Sequence, residues 1–227
     1  MNKIYIVGGG KGGVGKSAVV FALVDLLLIK GEKVVLVESD DSNPDTYKSL
    51  NGVASSAAIC GLDDEAGYIK LTDTIADNED ACIVINTAAR VTASLIKYGD
   101  IFIDEAKKQN RDVVMLWAMN RQRDSVELLK EFLDGSNNSY TATYAILNTY
   151  FGAPEKFTRY TESKQRQRIT DTIIFPDLND TVADKVIDNR LALNAAEVVG
   201  GVLSTGERSA LNRYRLVAHR ALEVVYE

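Results

Sequence analysis

The chain has 227 residues, a net charge of −6, 46% hydrophobic and 26% charged residues, two cysteines and one histidine. That length supports one well-buried domain rather than two, and the composition excludes a disordered chain. Cys60 and Cys82 are too few for a disulfide scaffold, the lone His219 excludes a histidine-cluster metal site, and the acidic balance leaves no overall basic footprint for nucleic acid.

The run KIYIV (residues 3–7) predicts a short strand that ends in glycines. Beyond a glycine-rich loop, KSAVVFALVDLLLIKG predicts a buried helix closing at Gly31, a C-cap signal. KVVLV (33–37) predicts the next strand, nearly all apolar as in a parallel strand covered on both faces. The segment 51–80 is less regular and is expected to hold variable helices or loops. ACIVI (81–85), DVVMLWAM (112–119), YTATYAIL (140–147) and DTIIF (171–175) repeat the strand pattern. RDSVELLKEFLD (123–134) places Val126, Leu129 and Leu133 on one helical face, and the residues after Leu203 predict a last amphipathic helix. Strands alternating with helices predict one α/β domain over residues 1–227, a doubly wound, mostly parallel sheet with helices on both faces. No apolar run approaches the roughly 18 residues of a membrane span. Met1 leads straight into the first strand without signal-peptide architecture, so a cytoplasmic location is expected.

The stretch VGGGKGGVGKS (7–17) matches G-x-x-x-x-G-K-[ST] from Gly10 to Ser17. Glycines at 10, 12, 13 and 15 let the backbone curl tightly and turn its N–H groups inward, a nest for phosphate oxygens. The following helix adds the positive end of its dipole. Lys16 is expected to reach the β- and γ-phosphates and the Ser17 hydroxyl to ligate Mg²⁺. The nucleotide-binding set here is Gly10, Lys11, Gly12, Gly13, Val14, Gly15, Lys16, Ser17 and Ala18. The strand before the loop and the helix after it set it apart from a glycine-rich turn that binds nothing. Lys11 is surplus to that pattern.

KGGVGKS resembles the deviant Walker A loop of the ParA/MinD group of P-loop ATPases. The resemblance implies the P-loop fold, with ATP and Mg²⁺ as cofactors. It also gives Lys11 a task, since in that group the extra lysine crosses a dimer interface to the phosphates held by the other subunit. A cation supplied in trans would make nucleotide occupancy a condition for dimerisation. The bland alternative is a solvated loop lysine. VLVESDDSNPD (35–45) resembles the group's second motif, a strand running into D-x-D-P, with Glu38 and Asp40 at the two acidic positions. This implies that Asp40 polarises the attacking water and bonds to metal-bound water, acting with Lys11 and Lys16. ACIVINTAAR (81–90) resembles the Walker B strand, but Asn86 stands where an acid is usual. Slow hydrolysis is therefore expected, and a faster or more Mg²⁺-tolerant enzyme on Asn86→Asp. Ala18 is a smaller departure, where a hydroxyl near the α-phosphate is common. YAILNTY (144–150) and TIIFPDLNDTVADKV (172–186) resemble the segments that hold adenine, which implies Asn148 as its reader and Pro176 and Asp177 at its flank. Cys60 and Cys82 do not resemble the cluster-ligating pair of nitrogenase iron proteins.

Arg208, Arg213, Arg215 and Arg220 fall in a stretch without an acidic residue, and residues 155–169 hold five basic residues against Glu155 and Glu162. The resemblance implies that such segments hold DNA without sequence preference; the alternative is solvated helix faces. His219 reads as a helix surface residue, and Trp117, Tyr140 and Tyr144 as packing. The expected function is a ParA-like ATPase that forms a homodimer with ATP and hydrolyses it slowly. It would serve plasmid partition or transfer beside a small DNA-binding partner protein. A MinD-like membrane switch is disfavoured by the acidic end of LEVVYE. A metabolic ligase or kinase on the same fold and a non-hydrolysing adaptor, which Asn86 makes credible, are the other readings.

Overall fold

In a computed structural model describing residues 2–137, 139–198 and 200–227, the apolar runs become a seven-stranded sheet. Its elements follow in chain order as β1 (Ile4–Gly8), α1 (Lys16–Ile29), β2 (Val34–Glu38), α2 (Asp45–Leu50), β3 (Ser56–Ile59) and α3 (Glu65–Ala76). Next come β4 (Cys82–Asn86), α4 (Thr92–Tyr98), α5 (Asp100–Lys108), β5 (Val113–Met119), α6 (Arg123–Gly135) and β6 (Ala142–Asn148). The chain closes with α7 (Thr158–Thr161), β7 (Asp171–Phe175), α8 (Asp180–Asp188) and α9 (Thr205–Tyr226). The strand order is β3-β2-β4-β1-β5-β6-β7, and every pairing is parallel.

Strands β1, β2, β4 and β5 are buried along their whole length because helices cover both faces of the sheet. Their side chains alternate between two cores. Tyr5, Val7, Leu36 and Val84 pack beneath α1, α8 and α9, whereas Ile4, Ile6, Val37 and Ile85 pack beneath α3, α5 and α6. Helix α1 lies between the sheet and α9, which explains why its sequence is apolar on nearly every side. Trp117 is buried and stacks on Phe132 with ring centroids 5.0 Å apart, and Tyr144 is buried in β6.

Two sequence expectations are corrected here. Segment 51–80 does hold a helix, α3, but it also holds the edge strand β3 where only helices or loops were expected. The four-residue SAAI carries no alternating pattern, but α3 had a readable signal in Tyr68, Leu71 and Ile75, all buried on one face. Its start is fixed by Asp64, whose side chain accepts from Gly67 N at 3.2 Å. The second correction concerns α9. Arg215 is buried, donating to Asp25 Oδ2 at 2.7 Å and to Asp25 Oδ1 at 3.0 Å, and it also pairs with Glu197. His219 Nε2 lies 2.8 Å from the same Asp25 Oδ2. Neither residue belongs to an outer basic face. They fasten α9 to α1, and of the four arginines in the run only Arg213 and Arg220 are exposed.

Candidate nucleotide-binding site

The loops at the C-terminal ends of the parallel strands surround a cleft of about 780 Å³, beside the central strand β1. This is the crevice in which open α/β sheets hold ligands. Gly12, Gly13, Gly15, Lys16, Ser17, Ala18, Asp40, Asn148, Pro176 and Asp177 all line it. Three residues of the expected set stand outside the lining. Val14 is fully buried and anchors the loop, Gly10 backs onto α6, and Lys11 turns away.

The loop needs its glycines at identifiable points. Gly15 has φ 97°, and a Cβ there would stand 2.1 Å from Asn148 Nδ2. A Cβ on Gly10 would meet Leu128 Cδ1 at 2.7 Å. A Cβ on Gly12 or Gly13, by contrast, would find nothing within 4 Å, so the loop's outer curve faces open space. Helix α1 starts at Lys16 with no side-chain cap and no acidic residue in its first turn. Its free N–H groups and dipole therefore point into the cleft unsatisfied. Lys16 Nζ folds back to the Lys11 carbonyl at 2.7 Å, the position a phosphate oxygen would contest. Burial pushes its ammonium below the usual range, and Asp40 and Glu38 act against that.

Asn148 does more than line the cleft. Its Nδ2 donates to Val14 O at 3.1 Å and its Oδ1 accepts from Tyr150 N at 3.0 Å, so the amide clamps the phosphate loop to the end of β6. Asp40 sits in a turn of its own making, with Oδ1 accepting from Ser42 Oγ at 2.6 Å and Asn43 N at 3.1 Å. The Ser42 hydroxyl leads the contacts that hold its carboxyl below the usual range.

Behind Asp40, polar contacts join the end of β4 to the ends of β2 and β1. Ser39 Oγ accepts from Ala88 N at 2.7 Å, and Thr87 Oγ1 donates to Val7 O at 2.9 Å. Glu38 is buried and in register with Asn86, whose Nδ2 donates to Glu38 Oε2 at 2.9 Å and to Thr46 Oγ1 at 3.0 Å. Burial pushes Glu38 upward, opposed by the hydrogen bonds from the Asp40 amide, Asn86 and Thr46. Thr46, Phe21, Phe175 and Tyr214 also line the cleft. The sequence marked none of them: α2 and α9 bring in Thr46 and Tyr214 from the flanks, and Phe21 on α1 and Phe175 at the end of β7 read as packing residues.

The residues fit a nucleotide with its metal. Among the described residues no group of three or more His, Cys, Asp or Glu could hold an ion, which excludes a cage built by the protein alone there. Mg²⁺ bound through phosphates and waters needs only one or two protein oxygens, and the buried Asn86 Oδ1, which has no hydrogen-bond partner, is one polar atom left for such a ligand shell.

A family model described as the CobQ/CobB/MinD/ParA nucleotide binding domain matches residues 5–175. The chain is similar to protein MobD of Acidithiobacillus ferrooxidans, 38% identical over 229 residues, covering 99% of this chain and 98% of that protein. Among solved structures it resembles the MinD cell division protein of Aquifex aeolicus, with TM-score 0.58 and 13% identity over 99% of this chain and 98% of the other. It also resembles a ParA family ATPase of Chlorobium tepidum, with TM-score 0.56 and 12% identity over 95% and 98% of the two chains. At such identities the structures share the fold.

Proposed function

The chain belongs to the CobQ/CobB/MinD/ParA nucleotide-binding family, and from that premise we propose an ATP-dependent dimerising switch with slow hydrolysis that serves DNA mobilisation or partition. The likeness to MobD, by its name, favours mobilisation. Gly12, Gly13, Gly15 and the N-terminus of α1 cradle the phosphates, with Lys16 on the β- and γ-phosphates and Ala18 beside the α-phosphate. Ser17 ligates Mg²⁺, which when bound neutralises phosphate charge. Asp40 orients the attacking water, and Asn148, Pro176 and Asp177 border the base.

One observation carries the reading. Lys11 is a loop residue that leaves its own cleft, with Nζ donating to Gln122 Oε1 at 2.8 Å and pairing with Asp124. A cation turned away from its own cleft can serve a second copy once it leaves Asp124. Light scattering is expected to show dimers with ATP, monomers with ADP, and monomers for Lys11→Ala with either. Dimers of Lys11→Ala with ATP would overturn it. Asp40→Ala is expected to lose turnover while keeping ATP binding and dimerisation, and turnover like that of the unaltered protein would misplace the catalytic carboxylate.

For DNA, the burial of Arg215 shifts weight to the other segment. Lys156, Arg159, Lys164 and Arg166 are exposed and have no carboxylate partner among the described residues, whereas Arg168 pairs with Asp134. On α9, Arg213 and Arg220 share the outer face with exposed Leu216 and Val217. Reversing Lys156, Arg159 and Arg166 to Glu is expected to lower the salt slope of duplex binding by roughly one for each phosphate no longer neutralised, with a smaller change for Arg213 and Arg220. An unchanged slope in the first variant would leave that segment a solvated face.

A further inference from the structure

The Walker B position of this chain is neutral, yet a carboxylate lies one strand away from it. Asn86 ends β4 and Glu38 ends β2, and the parallel register sets them side by side. Glu38 is 1% exposed and is held from two sides, Oε1 accepting from Asp40 N at 3.0 Å and Oε2 from Asn86 Nδ2 at 2.9 Å. Asn86 Nδ2 gives its other hydrogen to Thr46 Oγ1 at 3.0 Å. These contacts fix which way the amide faces, since a flipped Asn86 would set its oxygen against a carboxylate. The carbonyl Oδ1 is thereby left buried, without a partner, on a residue that lines the cleft. An unpaired buried acceptor is costly unless a ligand or water completes it.

We infer that Glu38, the acid at the end of β2, is a positioning residue for the neutral Walker B position: it orients and polarises Asn86, whose Oδ1 would accept a hydrogen bond from a water of the metal–phosphate complex. The inference rests on the nucleotide reading above and deepens it. It also reverses the expectation for Asn86→Asp. An aspartate there would press a second carboxylate against Glu38 within hydrogen-bond distance, in a place that water does not screen.

The test exchanges the two groups: Glu38→Gln, Asn86→Asp, and both together. Two measurements are made on each protein, urea denaturation of the free chain and ADP affinity with and without Mg²⁺ by calorimetry. Glu38→Gln is expected to cut the Mg²⁺ enhancement of ADP affinity by about ten- to a hundred-fold, as loss of a group behind a metal's ligand shell does. Asn86→Asp alone is expected to destabilise the free chain or to prevent its folding. The double variant returns one acid and one amide to the pair, and is expected to recover stability and most of the Mg²⁺ enhancement. Losses that simply add in the double variant would overturn the inference, as would an unchanged Mg²⁺ enhancement in Glu38→Gln. If Asn86→Asp does not fold, the comparison of Glu38→Gln with the double variant decides alone. Failure of the unaltered protein to bind ADP would instead bring down the nucleotide reading, which keeps the two failures distinct.

Discussion

The two ends of α1 meet charge in opposite ways. At its start, Lys16 and Ser17 face an open cleft, and among the described residues the Lys16 ammonium has only the Lys11 carbonyl for a hydrogen-bond partner. Nine residues on, about 14 Å along the axis, Asp25 is 5% exposed and closed in by Arg215 and His219 of α9. One end has unmet donors and waits for a ligand. The other has met its partners and holds the fold. Function and stability are thus separated along a single helix, and substitutions at the two ends are expected to fail in different assays.

The largest effect belongs to the closed end. Arg215→Glu would set a third carboxylate among Asp25 and Glu197, and breaking a buried pair of this kind costs about 3–5 kcal/mol. Urea denaturation is expected to show that loss, whereas Arg213→Glu, on the exposed face, is expected to stay within about 0.5 kcal/mol. Equal stability of the two variants would erase the contrast. The same end has a pH signature. Burial raises the Asp25 carboxyl, but the hydrogen bonds from His219 and Arg215 outweigh it and hold the group below its ordinary 3.8. A depressed carboxyl contributes stability that is fully present above the unfolded value and is lost as pH falls through the folded one. Denaturation midpoints of Asp25→Asn are therefore expected to be low throughout and flatter below about pH 4 than those of the unaltered chain.

At the open end, Lys16→Ala is expected to lower ATP affinity by about ten- to a hundred-fold, the worth of a charge-assisted contact to phosphate. Stability should not fall with it, because burial already disfavours the ammonium. Calorimetry beside urea denaturation separates the two effects. A destabilised Lys16→Ala with intact affinity would invert the comparison.

The same division explains what the sequence could tell. The open end was legible because a phosphate loop is local: Gly10 to Ser17 carry their purpose in contiguous spacing, and the apolar runs on either side announce β1 and α1. The closed end was not. Arg215 reads as part of a basic surface and His219 as a helix surface residue, because their shared partner, Asp25, lies 190 and 194 positions away. Asn86 shows the same limit in miniature. Its departure from an acid was visible, but its contact with Glu38, 48 positions upstream, arises only through strand register. Asn148 was legible as a strand-end residue, yet its grip on Val14 O depends on how β6 lies beside the loop.

The smallest effect concerns the residue that belongs to neither end. Lys11 lies in the loop but is tied across to the start of α6, by Gln122 Oε1 at 2.8 Å and by Asp124. Both members of the ion pair are partly exposed, at 34% and 44% of their side chains, so solvent and salt screen it. Within the proposed switch this contact competes with dimerisation, because Lys11 must leave Asp124 before it can reach a second copy. Asp124→Asn weakens the competitor without touching the lysine. The ATP concentration at half-maximal dimerisation, followed by light scattering at low salt, is expected to fall by roughly two- to five-fold, the scale of an exposed ion pair. The gain should fade as salt rises, and it should vanish in the Lys11→Ala background, where there is no cation to release. If Asp124→Asn instead raises the ATP requirement, Asp124 helps to hold the assembled dimer and the contact with Lys11 is no restraint.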